Sequence, residues 1–304
     1  MMFRLENSVN QQIKLPHEAG VELFLKREDG IHPYVSGNKY RKLKYNLIEA
    51  QKEGFETLLT FGGAYSNHIA AVAAAGKQIG FKTIGVIRGD ELLGKEYENA
   101  TLSFAKQCGM QFKYISREDY RNKTNDLFIE SLQNEFGRFY LIPEGGTNDL
   151  AIKGCEEILN QDDTCFDYIC CSVGTGGTIS GLINCSKPSQ QVLGFPALKG
   201  SFLHEDISKF ATKPNWKLIS GYHFGGYAKI NEELVSFINE FKSLYKVPLD
   251  PVYTGKMMFG VFDLIEKNYF PKGSRILGIH TGGLQGITGM NNVLKSKGLS
   301  LIDI

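Results

Sequence analysis

The sequence predicts an α/β fold built on parallel β-sheets. Short apolar runs rich in Val and Ile alternate along the chain with longer segments of helical pattern. Several of the short runs are almost entirely apolar, as expected of strands that are covered on both faces. Glycine-rich turns follow strands, which is typical of strand-to-helix connections in this class of fold.

The predicted elements succeed one another without a Pro- or Ser-rich linker. Strands are predicted at 22–26, 57–61, 83–87, 111–114, 168–171, 191–195 and 275–280. Helices are predicted at 39–53, 66–79, 96–108, 152–161, 177–186, 231–245 and 255–267. The sections from about 43 to 150 and after 150 are each a βα series. We therefore expect two α/β lobes with a cleft between them, where a cofactor usually binds.

Size and charge exclude several classes of function. The chain has 304 residues, 42% of them hydrophobic, which is enough to bury a sizeable core. A net charge of +1 does not favour binding to nucleic acid, to an acidic partner or to a membrane surface. The apolar stretch 69–75 is too short to span a bilayer, and the N-terminal segment has no signal-peptide core. We expect a cytoplasmic protein with no nucleic-acid or membrane partner.

The cysteines predict neither disulfides nor a metal centre. None of the six has CxxC spacing, and Cys170 and Cys171 are adjacent, a position from which cysteines rarely bridge each other. We expect reduced thiols that lie mostly in the core. No cluster of His, Cys, Asp and Glu has metal-ligand spacing, so no catalytic metal is expected.

One glycine-rich loop predicts a phosphate site. The apolar strand at 168–171 runs through Ser172 and Val173 into Gly174-Thr175-Gly176-Gly177-Thr178, where a helix begins. Free amides at a helix start, together with threonine hydroxyls, can bind an anion. The loop lacks the Lys-Ser/Thr ending of a P-loop and the acidic residue of a dinucleotide site. A single phosphate is the better prediction, although an ordinary strand–helix turn has the same glycine content.

Lys39 follows a Gly-Asn turn at a predicted helix start. Burial and the positive end of a helix both lower the pKa of a lysine, and a neutral amine can form a Schiff base with an aldehyde cofactor. Taken alone, Lys39 is better interpreted as a solvated surface lysine. Arg41, Lys42 and Lys44 on the same helix predict a solvated face, with one of them a candidate neighbour of the phosphate.

The motifs occur in the order Lys-Arg-Glu-Asp, Ser-Gly-Asn-Lys, Gly-Gly-Ala-Tyr-Ser-Asn-His, Gly-Thr-Gly-Gly-Thr, Pro-Val-Tyr-Thr-Gly-Lys and His-Thr-Gly-Gly. This order resembles the fold-type-II enzymes that depend on pyridoxal phosphate (PLP), and most closely the branch of 1-aminocyclopropane-1-carboxylate (ACC) deaminase and D-cysteine desulfhydrase. The resemblance implies a tryptophan-synthase-β-like fold, with the cofactor in the cleft between two open α/β domains. Residues 1–42 and 151–304 would form the large PLP-binding domain, and 43–150 the small domain.

The resemblance also implies roles for individual residues. Lys39 matches the lysine that forms the Schiff base with PLP, and Asn67 matches the asparagine that bonds the 3′-oxygen of the cofactor. The phosphate loop corresponds to Gly174, Thr175, Gly176, Gly177 and Thr178. Thr254 and Thr281 match residues near the pyridine nitrogen. The segment that would meet the substrate comprises Tyr65, Ser66, Asn67 and His68, and the catalytic side chains besides Lys39 would be Ser66, Tyr227 and Tyr253.

These residue types suit elimination from a small amino acid. PLP is an electron sink, and Lys39, once displaced by the substrate amine, can act as a general base at the α-carbon. Ser66 and the amides at the start of its helix can hold the substrate carboxylate. A tyrosine hydroxyl can protonate the leaving group. The product would be an aminoacrylate, which hydrolyses to a keto acid and ammonia.

Position 254 separates the two relatives. ACC deaminases resemble one another in having Tyr-Glu where this chain has Tyr253-Thr254. A carboxylate would keep the pyridine nitrogen protonated and strengthen the electron sink, as ring opening requires, whereas a threonine hydroxyl would not. Thr254 therefore favours D-cysteine desulfhydrase-like α,β-elimination, in a homodimer as is common among relatives. ACC deamination is the alternative.

Two departures from the relatives keep further alternatives open. Tyr65 stands where relatives usually have Gln, which changes both shape and hydrogen bonding where specificity would be set. This favours a second hypothesis, a PLP-binding protein without turnover. The phosphate loop is closer to that of cysteine synthases, which favours a third, β-replacement with sulfide.

Overall fold

Ten strands form two sheets in the part of the chain that the structure describes. The computed structural model describes residues 3–15, 20–200 and 202–303. The strands are β1 (Asn10–Ile13), β2 (Glu22–Lys26), β3 (Thr57–Gly63), β4 (Lys82–Arg88), β5 (Gln111–Ile115), β6 (Tyr140–Ile142), β7 (Tyr168–Val173), β8 (Gln191–Pro196), β9 (Trp216–Leu218) and β10 (Arg275–Ile279). One sheet has the order β1-β2-β10-β7-β8-β9 and the other β5-β4-β3-β6. Every pair is parallel except β1 with β2.

Helices cover the sheets. They are α1 (Asn38–Lys52), α2 (Asn67–Ile79), α3 (Ala100–Gln107), α4 (Asp126–Phe136), α5 (Asp149–Cys155), α6 (Gly177–Cys185), α7 (Phe202–Ser208), α8 (Glu232–Tyr245), α9 (Thr254–Glu266) and α10 (Gly286–Ser296). Parallel strands that alternate with helices confirm the predicted α/β class.

The large sheet is covered on both faces. Cys170 and Ile276 lie in one apolar cluster with residues of α8, α9 and α10. Cys171 and Leu277, their neighbours along β7 and β10, lie in another cluster with residues of α6 and α7. Successive side chains of a strand point to opposite faces, so both faces bury apolar surface. This is why these strands are almost wholly apolar in the sequence.

Two predicted helices have different limits in the structure. The helix predicted at 96–108 begins only at Ala100, because the Asn99 side chain accepts a hydrogen bond from the Leu102 amide at 3.0 Å and caps it there. The helix predicted at 152–161 spans Asp149–Cys155 instead. Asn148 caps its start, and Asn160 already caps the following short 3₁₀ helix.

The predicted domain limits stay a prediction. The segments assigned to the large domain supply the six-stranded sheet, and the segment 43–150 supplies the four-stranded sheet. Helix α1, however, runs without a break across residues 42 and 43. Its buried Leu43 and Leu47 lie in one apolar cluster with residues of α2 and α3.

All six cysteines are free, but the expectation that they lie mostly in the core is wrong for half of them. Cys155, Cys170 and Cys171 are buried, whereas Cys108 and Cys185 are partly exposed and Cys165 is exposed. Across residues 3–15, 20–200 and 202–303, no helix is both long and apolar enough to cross a membrane.

Candidate active site

A pocket opens at the carboxyl ends of β7 and β10, where the starts of α1, α2 and α6 meet. This is the usual position of ligands in parallel α/β sheets. Its lining comprises Ser36, Asn38, Lys39, Lys42, Asn67, Gly145, Ser172, Val173, Gly174, Thr175, Gly176, Thr178, Ile179, Tyr253, Thr281, Gly282, Gly283 and Gln285. Residues that are far apart in the sequence therefore line one pocket.

Lys39 reaches this pocket from the first turn of α1. The helix starts after Gly37, whose φ is +56°. A Cβ atom at Gly37 would lie 2.2 Å from the Thr281 carbonyl oxygen, so glycine is required for the approach of the two segments. Burial lowers the pKa of Lys39 to about 7, assisted by the nearby Lys42 cation and opposed by Cys155 and Asp250. A large fraction of the amine is thus neutral and nucleophilic near pH 7.

The predicted phosphate loop joins β7 to α6. Gly176 adopts a φ of +82° just before the helix, which starts at Gly177. A Cβ atom at Gly177 would lie 2.8 Å from the Thr147 hydroxyl and 3.1 Å from the Lys42 ammonium. The Thr178 hydroxyl accepts a hydrogen bond from the Asn38 amide at 2.9 Å. The loop and the start of α1 therefore form one anion-binding corner.

Lys42 corrects the expectation of a solvated helix face. Its side chain is buried, and the ammonium donates to the Gly145 carbonyl at 3.0 Å and to the hydroxyls of Thr147 and Thr175 at 3.1 and 3.4 Å. Two of these partners lie about 100 residues further along the chain. Lys42 thus places a cation beside the phosphate loop.

Arg41 and Lys44, the other two residues that were predicted to lie on a solvated face, serve the fold. Arg41 is buried and forms a bidentate pair with Glu28, with both distances at 2.8 Å. Lys44 pairs with Glu157 at 2.7 Å near the surface. The three cations therefore have three different environments.

Ser66 and Asn67 open helix α2 at the pocket. The Ser66 hydroxyl caps the helix by accepting from the Ile69 amide at 3.3 Å. Asn67 lines the pocket, and its Oδ1 is buried without a hydrogen-bond partner among the described residues. Gln285, which no sequence motif indicated, also lines the pocket. Its Oε1 is likewise buried without a hydrogen-bond partner among the described residues. Both amides are thus placed to bind a ligand.

Of the segment predicted to meet the substrate, only Asn67 is a lining residue, and Tyr65, Ser66 and His68 are not. Tyr65 is 46% exposed. Its ring lies so close to Gly289 of α10 that a Cβ there would be 2.5 Å from it. His68 is buried, with Nε2 2.9 Å from the Thr60 hydroxyl. Burial and the cations of Lys39 and Lys42 hold the pKa of His68 well below its usual value, so it is neutral.

Two tyrosines meet at the pocket. The rings of Tyr227 and Tyr253 lie 6.3 Å apart, edge to face. Tyr253 lines the pocket, whereas Tyr227 is 47% exposed. Burial, reinforced by Tyr227 and Asp250, raises the pKa of Tyr253 well above its usual value. Its hydroxyl therefore stays protonated near neutral pH and can donate a hydrogen bond to a ligand.

The two predicted threonines differ in position. Thr281 lines the pocket, with its hydroxyl 3.4 Å from that of Ser172. Thr254 is fully buried and is not a lining residue, because its hydroxyl donates to the Asp250 carboxylate at 2.8 Å. Asp250 also accepts from the backbone amides of residues 252–254 and so fixes the turn that carries Tyr253. The sequence did not indicate Asp250.

The fold and this pocket define an enzyme class that binds a phosphate-bearing aldehyde through a lysine. The chain belongs to the family of pyridoxal-phosphate-dependent enzymes, whose model matches residues 9–282. The chain therefore has the type II fold of PLP-dependent enzymes, and PLP is its cofactor. Within residues 3–15, 20–200 and 202–303, no group of three or more His, Cys, Asp or Glu side chains is placed to hold a metal.

Several characterised proteins are similar to this chain. A bifunctional D-cysteine desulfhydrase/ACC deaminase of Arabidopsis thaliana is 32% identical, over 88% of this chain and 74% of its own. A D-cysteine desulfhydrase of Klebsiella pneumoniae is 27% identical over 89% of each chain. A crystal structure described as an ACC deaminase homologue superposes with a TM-score of 0.81 at 28% identity, over 97% of this chain and 96% of its own.

The residues of the pocket fit PLP. The corner at Gly176, Gly177 and Lys42 offers a cation and helix-start amides to a phosphate, with space that a side chain would fill. Asn67 lines the pocket and its Oδ1 has no partner among the described residues, so its side-chain amide would be available to a bound cofactor. Lys39 supplies an amine with a lowered pKa. When bound, PLP supplies an aldehyde that links to amines and a conjugated ring that withdraws electrons from the attached carbon.

Replacing Lys42 with methionine should weaken PLP binding by roughly ten- to a hundredfold. A hydrogen bond to a charged group contributes about 1.5–3 kcal/mol, and methionine keeps most of the buried volume. Titration of the apoprotein with PLP, followed by absorbance, measures this. Lys44→Met is the matched control, because Lys44 is on the same helix but pairs with Glu157 outside the pocket. Equal weakening by both substitutions would contradict the assignment of Lys42 to the phosphate.

Proposed function

We propose that this protein is a PLP-dependent lyase or deaminase that eliminates the β-substituent of a small amino acid, with D-cysteine as the preferred substrate. The observation that carries the proposal is the meeting of Lys39, the start of α2 and Tyr253 around one pocket that has a phosphate corner. Relatives named D-cysteine desulfhydrase and ACC deaminase support the same chemistry.

Each side chain has a distinct task in this proposal. The start of α2, with its free amides and the Ser66 hydroxyl, attracts the substrate carboxylate. The neutral amine of Lys39 removes the proton from the α-carbon, which its pKa of about 7 permits. The Tyr253 hydroxyl, kept protonated by burial, donates a hydrogen bond to the sulfur, which departs as hydrosulfide. Tyr227 packs edge to face against Tyr253 and assists it.

The reaction balances without a further co-reactant besides water. D-Cysteine and one water molecule give pyruvate, hydrogen sulfide and ammonia. The carbon–sulfur bond breaks with its electron pair going to sulfur. The released 2-aminoacrylate then hydrolyses in water to the keto acid.

Thr254 supports elimination over opening of the ACC ring. Its hydroxyl is committed to Asp250, and the Asp250 carboxylate accepts four hydrogen bonds from its own turn. Burial raises the pKa of Asp250 despite these bonds. A carboxylate that is occupied in this way is not free to act as a counter-ion for the ring nitrogen of the cofactor. The weaker electron sink suits a substrate with a good leaving group.

A substrate panel tests the proposal. The PLP-loaded protein is incubated with D- and L-cysteine, D- and L-serine and ACC, and the keto acids are measured. We expect pyruvate and sulfide from D-cysteine at a rate at least about tenfold above that of 2-oxobutyrate from ACC. Faster turnover of ACC would establish the alternative deaminase. Bound PLP without product from any amino acid would establish a binding protein. A product that forms only when sulfide is added to an activated serine would instead indicate β-replacement.

We further propose a cytoplasmic homodimer with a large domain of residues 1–42 and 151–304 and a small domain of 43–150. These points follow from the resemblance to relatives and from the division of the strands between two sheets. Light scattering of the purified protein measures its mass in solution. A monomer at micromolar concentration would contradict the dimer.

A further inference from the structure

The segment that carries Tyr227 has an unusual backbone. It lies between β9 and α8, and within it Phe224 and Ala228 have φ values of +52° and +53°. Residues other than glycine rarely adopt this left-handed conformation, which persists only where the surroundings enforce it. The half-exposed Tyr227 side chain cannot supply this constraint. Something else must hold the segment.

Phe224 packs edge to face against Phe259 of α9, and Lys256 adds polar contacts to the backbone of the segment. Lys256 lies in the first turn of α9 and is only 2% exposed. Its ammonium donates to the carbonyls of His223 and Gly226, both at 2.9 Å, and lies 3.5 Å from that of Ala197. All three acceptors are backbone oxygens, and two of them belong to the Tyr227 segment.

Burial of a lysine costs free energy, so the presence of Lys256 at this position requires an explanation other than packing. Burial lowers the pKa of Lys256 to about 8, with Asp250 opposing the shift, so the position disfavours the charged form. An apolar side chain of the same length would avoid this cost. What methionine or leucine could not supply is the set of donors that fixes the carbonyls of His223 and Gly226.

These contacts join the two tyrosines. Lys256 follows Tyr253 by three positions on α9, and Gly226 immediately precedes Tyr227. We propose that Lys256 is a positioning residue that holds Tyr227 against Tyr253 at the mouth of the pocket. The proposal rests on the elimination activity proposed above for its effect on rate, and on the geometry alone for its effect on the segment.

A double-mutant cycle distinguishes positioning from general stabilisation. In the wild-type background, Lys256→Met should lower kcat for D-cysteine about tenfold. A mutation far from the bond that breaks can cost that much or more when it displaces a group that acts there. KM should change by less than about twofold, since Lys256 does not line the pocket. In a Tyr227→Phe background the same substitution should lower kcat by less than about twofold, because the group that it positions is gone.

Hydrogen–deuterium exchange provides a readout that does not need activity. Lys256→Met should speed exchange at the Gly226 and Lys229 amides, which bond to the carbonyls of His223 and Gly226. Lys256→Arg keeps donors at this position and should retain part of the protection. Lys213→Met is the control, because Lys213 also donates a hydrogen bond to a backbone carbonyl, that of Ser186. Neither Lys213 nor Ser186 lines the pocket. It should leave both kcat and exchange in the Tyr227 segment unchanged.

The outcomes separate the two proposals. An equal fall in kcat in both backgrounds, or unchanged exchange at residues 226 and 229, would overturn the positioning role. If the wild-type protein turned over no amino acid, the proposed function would fail, yet the exchange experiment would still decide whether Lys256 holds the segment. If Lys256→Met did not fold, exchange in Lys256→Arg against wild type would carry the test. An arginine variant with wild-type protection and a tenfold lower kcat would also contradict the proposal.

Discussion

Replacing Lys39 with alanine should abolish the covalent attachment of PLP and lower the elimination rate by about 10³-fold. Both losses have one cause, since the same neutral amine links to the cofactor and removes the α-proton. The visible absorbance of the lysine-linked cofactor should disappear, while free PLP remains removable by gel filtration. Lys52→Ala, at the exposed end of the same helix, is the control and should retain both.

Borohydride reduction followed by peptide mapping makes the Lys39 prediction specific. Reduction of the wild-type protein should leave the cofactor mass on the peptide that contains Lys39. The buried lysines nearby, Lys42 and Lys256, are the competing candidates. Finding the label on either of them, or undiminished labelling in Lys39→Ala, would contradict the assignment.

Gly37→Ala should destabilise the fold strongly, with a loss of about 3 kcal/mol or more in the free energy of unfolding. The φ of +56° strains any other residue, and the added Cβ would lie 2.2 Å from a backbone oxygen of Thr281 that cannot rotate away. The two segments would have to separate, and Lys39 would move with one of them. PLP binding should therefore fall together with stability.

Gly54→Ala is a matched control for the Gly37 prediction. Gly54 also has a positive φ, +69°, but a Cβ there would meet no atom of the described residues within 4 Å. It should cost only about 1 kcal/mol, the conformational part alone. Chemical denaturation of both variants measures the difference. Similar losses in the two proteins would mean that the contact with Thr281 contributes nothing.

The sequence predicted the interior of the fold better than its edges. Strands such as β7 and β10 are buried on both faces, so their apolar runs are unmistakable. The edge strand β1 reads Asn-Gln-Gln-Ile and buries only Ile13, and β6 and β9 have three residues each. Segments that are this short, or as polar as β1, become strands because a neighbouring strand offers hydrogen bonds, which no local pattern reveals.

The residues of the candidate site also differ in how well the sequence predicts their roles. Gly176 and Lys39 could be predicted because a turn and a helix start are local features of the sequence. Lys42 could not, since a basic residue on a helix looks the same whether its partner is water or the carbonyl of Gly145, which is 103 positions away. Asp250 was hidden for a related reason, because its partners define a turn rather than a motif.

The pairing of β2 with β10 has a consequence for the order in which the protein is made. Among the described strands, β10 connects β2 to the interior of the large sheet, with Leu23 opposite Ile276, more than 250 residues later in synthesis. The four strands of the other sheet all emerge before residue 143 and can pair while translation continues. Lys39 emerges early as well, but the Thr281 carbonyl that abuts Gly37 is among the last groups to appear. A nascent chain therefore carries Lys39 through most of synthesis without the finished pocket that buries it and lowers its pKa, so we expect cofactor capture only by the completed polypeptide.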